Sequence, residues 1–202
     1  MTEPTLTHEP TLTPEPTLTT EPASSAALMP PTEPPLPAER ADLLEALQLH
    51  RFFLRNATRD LTDQQVGQRS TVSELCLGGL IKHVADTEQT WTSFIQHGPT
   101  AMPNVSDPAT FEQRAQTFQM LPGETLAGIL AAYDTVATHT DDLIRTLPDL
   151  DASQPLPEAP WFESGVRWST RRVLLHLIAE TSQHAGHADI IREAIDGAKS
   201  MG

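Results

Sequence analysis

The chain has 202 residues, a net charge of −14 and one cysteine, Cys76. So large an acidic surplus argues against nucleic acid and anionic membranes as main partners, since both need clustered lysine and arginine. A single cysteine excludes an internal disulfide framework and fits a reducing cytoplasm, and no apolar run is long enough to cross a bilayer.

Ten of the 18 prolines fall in residues 1–37, which hold no lysine or arginine. A six-residue repeat, "EPTLTH EPTLTP EPTLTT", begins at Glu3. Proline removes backbone donors and pushes the preceding residue towards extended conformations. One leucine per repeat cannot offset the entropy of ordering the segment. Residues 1–37 are therefore expected to be a disordered or polyproline-like tail, and 38–202 one domain with its own core. The tail has neither the basic start nor the apolar run of a secretory signal.

Four long segments have helical periodicity. The first runs from about Ala38 to Thr58, with Leu43, Leu47 and Leu54 on one stripe. The second runs from about Ser73, a capping residue, to Gln96, where His97, Gly98 and Pro99 end it. Its stripe is Cys76, Leu80, His83, Thr87, Trp91 and Phe94. A short helix is expected from about Ala109 to Gln119, capped by Asp107 with Pro108 in its first turn. The third long helix runs from near Gly123 to Thr146, with Leu126, Ile129, Tyr133, Val136, Thr140 and Leu143 inside. The fourth runs from Ser169 to Asp196 and stops at Gly197. Strand signals are nearly absent; "WFESGVRW" is expected at most to pair briefly, since it is short and interrupted by Gly165. The expected fold is all-α, an antiparallel four-helix bundle whose two long loops cover one end.

The fourth helix carries ionisable groups where a core stripe should be. His176, Glu180, His184 and His187 follow one another at intervals of four, four and three, and Ile191 and Ile195 continue the line. A surface face does not become core midway along a straight helix, so the polar stretch also points inwards. Buried imidazoles and carboxylates are costly unless paired or metal-bound. Bundles build metal sites from a carboxylate and a histidine one turn apart on one helix, with a further ligand from a facing helix. His83, on the apolar stripe of the second helix, is the candidate for that further ligand. Three N and O ligands leave coordination positions open, as in catalytic zinc sites. Zinc comes first, with nickel, iron and manganese suiting the same donors. The same residues also fit a hydrogen-bonded core histidine beside an ordinary Glu180–His184 ion pair.

The stretches "GLIKHVADTEQTW" and "LLHLIAETSQHAGHADIIREAIDG" resemble the DinB-like superfamily, in its uncharacterised branch related to mycothiol-dependent maleylpyruvate isomerases. The likeness covers roughly residues 40–197. It implies a four-helix bundle with a divalent metal held by one histidine on the second helix and two residues four apart on the fourth. His83, Glu180 and His184 match those positions in the ExxxH form. His187 has no counterpart there and is left as a fourth ligand, a general base or a partner of a ligand. The resemblance further implies metal-dependent transfer of a low-molecular-weight thiol to an electrophilic small molecule. A metal with an open position makes thiolate, the better nucleophile.

Arg167 is positioned to hold a substrate carboxylate, and Trp91, Trp161 and Trp168 are candidates for a pocket wall or for packing. Arg192 with Asp196 reads as an exposed pair, and Asp86 and Glu88 as solvated or paired charges. A non-catalytic metal- or ligand-binding stress protein is the rival reading, followed by an interaction module driven by the tail. A homodimer is expected to be compatible with either.

Overall fold

The computed structural model describes residues 1–2, 35–104 and 107–200. The expected tail falls almost wholly on residues 3–34, outside the described residues. Four long helices form where hydrophobic periodicity places them: α1 (Ala38–Asn56), α3 (Leu77–His97), α5 (Leu126–Thr146) and α6 (Thr170–Asp196). Two shorter ones join them, α2 (Asp63–Val66) and α4 (Pro108–Thr117). A two-stranded ribbon, β1 (Ser153–Pro155) and β2 (Arg167–Ser169), precedes α6.

Helix ends follow local chemistry. The Ser169 hydroxyl accepts from the Arg172 amide at the start of α6, and Gly197 ends the helix at φ 80°, a left-handed conformation suited to glycine. Asp107 caps α4 ahead of Pro108, as expected. Two starts come later than expected. The Ser73 hydroxyl accepts from Leu75, closing a local turn, so α3 begins only at Leu77 with the Cys76 sulfur capping it. Thr125, rather than a residue at Gly123, caps α5. The end of "WFESGVRW" does pair briefly: Arg167 and Trp168 lie opposite Pro155 and Gln154 upstream.

The long helices form a ring of contacts: α1 on α6, α6 on α3, α3 on α5 and α5 on α1. Cross-helix pairs give their directions. Arg40 reaches the Ile144 carbonyl and Arg55 reaches Asp134, so α1 and α5 are antiparallel. His83 meets His184 and Trp91 meets His176, so α3 and α6 are antiparallel too. The other two neighbours are parallel. Glu39 pairs with Arg171 near both starts, and Arg192 reaches the carbonyls of Ala57 and Arg59 near both ends. Lys82 pairs with Glu124, and His139 meets Gln96. The expectation of an antiparallel arrangement therefore fails for α1–α6 and α3–α5. Parallel α3 and α5 need a connection that travels back along the helices, and residues 98–125, including α4, provide it.

The core has two apolar clusters. Leu54, Leu80, Val84, Tyr133 and Ala185 belong to one, and Leu47, Trp91, Ile144 and Leu177 to the other. Along all four long helices the sequence passes from one cluster to the other through a buried polar residue: Arg51, Glu88, Thr140 and Thr181. The threonine hydroxyls are satisfied by carbonyls one turn back, Val136 and Leu177. Arg51 and Glu88 satisfy each other, with Arg51 Nε donating to Glu88 Oε2 at 3.1 Å, while Arg51 Nη1 reaches Asp141 Oδ1 at 2.6 Å. Glu88 is only 1% exposed and Arg51 4%. Burial, then the Glu88 charge, pushes the adjacent Tyr133 hydroxyl well above its ordinary range. Arg192 is also inside rather than exposed, because its two backbone carbonyl partners on the far side draw it in.

Removing one member of a buried ion pair leaves the other charge without compensation. Glu88→Ala is expected to cost about 3–5 kcal/mol in urea unfolding, and Arg51→Met with Glu88→Leu to recover most of it. A single variant as stable as the parent protein would show that the pair does not hold α1 to α3.

Candidate metal centre

His83 comes from α3, and Glu180 and His184 from adjacent turns of α6. Their ligand atoms all lie within 4.8 Å of one another. His83 is 3% exposed, His184 9%, and Glu180 is half-buried. The two imidazole centroids are 4.9 Å apart with planes at 79°, so the rings converge edge to face rather than stack. Phe118, just after α4, stacks on the other face of His83 at 3.9 Å and 23°. A close backbone approach puts it there: a Cβ on Gly79 would stand 2.0 Å from the Phe118 carbonyl oxygen, so only glycine lets the chain after α4 lie so near α3.

Hydrogen bonding assigns the ring nitrogens. The Thr117 hydroxyl donates to the Arg114 carbonyl at 2.7 Å, so its oxygen is left to accept from His83 Nδ1, 3.4 Å away. That leaves His83 Nε2 unprotonated. His184 Nδ1 faces His187 Nδ1 at 3.4 Å, and His184 Nε2 faces Glu180 Oε2 at 3.6 Å. The two Nδ1 atoms share one hydrogen; with it on His184, the lone pair of His184 Nε2 is open to a metal beside Glu180. The second Glu180 oxygen looks at His176 Nε2, 3.8 Å away.

Burial removes positive charge from this cluster. It pushes His83 down to about 3, with the neighbouring His184 and Arg114 adding to the effect. It also lowers His184 and His176, in each case against the opposing pull of Glu180. Neutral imidazoles with one free nitrogen and a carboxylate are the donor chemistry of a divalent transition metal.

His83, Glu180 and His184 thus come together; Arg167 and His187, the other two residues singled out, lie off the cavity wall. Arg167 is exposed on β2 and its Nε donates to the Ser153 hydroxyl at 3.2 Å, which ties it to the ribbon. His187 lies behind His184 as a ring partner. Neither lines the cavity of about 650 Å³ that His83 and Glu180 border. The segment after α3 and the 157–162 loop do border it, through Met102, Pro103, Pro157, Ala159, Trp161 and Phe162. Trp91 and Trp168 border it as well, stacked on each other at 4.8 Å. Sequence reasoning missed Arg114, Thr117 and Phe118. They lie three, six and seven residues after Phe111, which marks one helix face running into the cap of α4, but no local signal says which helix that face covers.

Residues 42–197 match the model of a family described as MST: Mycothiol-S-transferase. No curated protein matches the chain. Among solved structures, one described as "Crystal structure of the conserved protein of locus from Enterococcus faecalis" is similar in fold. Its TM-score is 0.58 at 12% identity, over 78% of this chain and 97% of that one. No helix among the described residues is long and apolar enough to cross a membrane.

The depressed histidines set an acid limb to stability. As pH falls below the ordinary histidine value of 6.5, the unfolded chain takes up protons that folded His83 refuses until about pH 3. Stability is therefore full above the unfolded value of 6.5 and declines as pH falls from there towards about 3. Thermal melting of metal-free protein from pH 7.5 to 4 is expected to show this decline, and His83→Gln to flatten it. An unchanged slope in His83→Gln would assign the limb to other groups.

Proposed function

This chain belongs to the mycothiol-S-transferase family, and from that premise we propose that it transfers a low-molecular-weight thiol to an electrophilic small molecule at a divalent metal held by His83, Glu180 and His184. The observation that carries the reading is the convergence of these three donors, from two helices, at the wall of a cavity large enough for a small organic ligand. When bound, the metal supplies Lewis acidity that lowers the pKa of the thiol and holds its sulfur for attack.

The chain's own residues do the rest. Thr117 and His187 hold the two imidazoles with their Nε2 atoms directed inwards, the orientation that a second layer of hydrogen bonds gives to metal-binding histidines. Phe118 closes the face of His83 against water. His176, half-buried with its pKa lowered by desolvation, borders the cavity beside Glu180 and is the group suited to take the thiol proton at a ring nitrogen. The thiol and the electrophile meet in the space between α3, α4 and the 157–168 segment.

In this reading the ring of α1, α6, α3 and α5 is a four-helix bundle, residues 1–37 are a tail outside it, and the protein works in the cytoplasm on small molecules. Protein purified without an affinity tag or chelator is expected to carry about one divalent metal per chain by elemental analysis. His83→Ala and His184→Ala are expected to lose the metal and the thiol-consuming turnover together. Metal retained in both variants would end the reading; metal without turnover on any thiol and electrophile would leave a binding protein.

A further inference from the structure

All three tryptophans of the chain, Trp91, Trp161 and Trp168, border the one cavity that holds His83 and Glu180. Trp91 and Trp168 are packed, stacked on each other and met edge-on by His176. Trp161 is not: it is 56% exposed and touches Phe162 at its edge. On α4, a separate wall, Phe111 is 57% exposed and also borders the cavity. Two large aromatic rings left open on different walls of one cleft have no folding role that accounts for their exposure. Aromatic faces and edges favour a flat apolar guest.

One further residue adds a charge preference. Arg114 lies on the same face of α4, three residues from Phe111 and three from Thr117, and it is the one lysine or arginine among the described cavity residues. It is exposed, and its charge acts on Asp86, the carboxylate across the same cavity. Arg114 lies one turn before Thr117, whose hydroxyl faces His83 Nδ1 at 3.4 Å, and all three line the cavity, so it stands on the metal side. An exposed guanidinium at the edge of a mainly apolar cleft is suited to a bidentate carboxylate.

We propose that the electrophile taken by this protein is a flat aromatic molecule bearing a carboxylate, with its ring between Phe111 and Trp161 and its acid group on Arg114. The word electrophile rests on the transferase reading; the binding subsite does not. Arg114 thereby takes the carboxylate-holding part considered for Arg167, which does not line the cavity.

The tryptophans make the test direct, because any occupant of the cavity sits among the only three indole fluorophores. Tryptophan emission of the full-length protein would be titrated with trans-cinnamate, with cinnamyl alcohol as the same ring without charge, and with 3-cyclohexylpropionate as the acid without an aromatic ring. Cinnamate is expected to bind about tenfold more tightly than either. Arg114→Met is expected to bring cinnamate down to the level of the alcohol and leave the alcohol unchanged, while Arg114→Lys keeps part of the preference. Phe111→Ala with Trp161→Ala is expected to weaken both aromatic ligands by at least tenfold. These side chains are exposed, so the variants should melt like the parent protein. Equal binding of cinnamate and cyclohexylpropionate, or a cinnamate affinity indifferent to Arg114→Met, overturns the proposal. The titration needs neither metal nor thiol. Cinnamate binding without metal-dependent turnover would therefore sink the transferase reading alone, and turnover without cinnamate preference would sink the subsite alone.

Discussion

Arg51 and Glu88 are opposite charges placed in the middle of two apolar helix stripes, and burying either without the other is prohibitive. Each must therefore find its partner, and only one rotation and one height of α1 against α3 allows it. Asp141 adds α5 to the same constraint through the free side of the Arg51 guanidinium. Hydrophobic packing alone tolerates sliding by a turn at modest cost; a buried bidentate ion pair does not. The polar belt that splits the core into two clusters is thus the level from which the helices take their register.

The metal cluster depends on that register. His83 lies five residues before Glu88, so the two point roughly 140° apart on α3 at 100° per residue. Once Glu88 faces Arg51, His83 is turned towards α6 and α4, where Glu180, His184, Thr117 and Phe118 wait. A single helix thereby presents a structural carboxylate to one side and a chemical imidazole to the other. The glycine at position 79 completes the arrangement by letting the crossover chain touch α3.

Direction matters as much as register. Because α3 and α5 run parallel, the chain must travel back along the helices between them, and that return path is what covers the cluster. Had α5 followed α3 as an antiparallel neighbour, a short turn would have sufficed and His83 would have lost both Thr117 and Phe118. The ribbon before α6 then closes a second wall, held by the stacked pair of Trp91 and Trp168 and by Arg172 over the Trp168 ring. The cavity is a consequence of two long connections meeting at one end of the helices.

The sequence alone determined the four long helices, because each has its own periodicity, caps and stop, and these act within a few residues. It also determined which polar residues of α6 would face inwards, since the same stripe continues as Ile191. His83 was legible for the same reason. Arg51 and Glu88 lay on apolar stripes as well, and reading them as partners needed only the step that was applied to the histidines. Tertiary structure decided the rest: the parallel pairs, the burial of Arg192 by carbonyls of Ala57 and Arg59, and the choice of Arg114 over Arg167 as the cation of the cavity. Those outcomes turn on which surfaces meet across tens of residues, and a helix face carries the chemistry of its own side chains but no mark of the face it will cover.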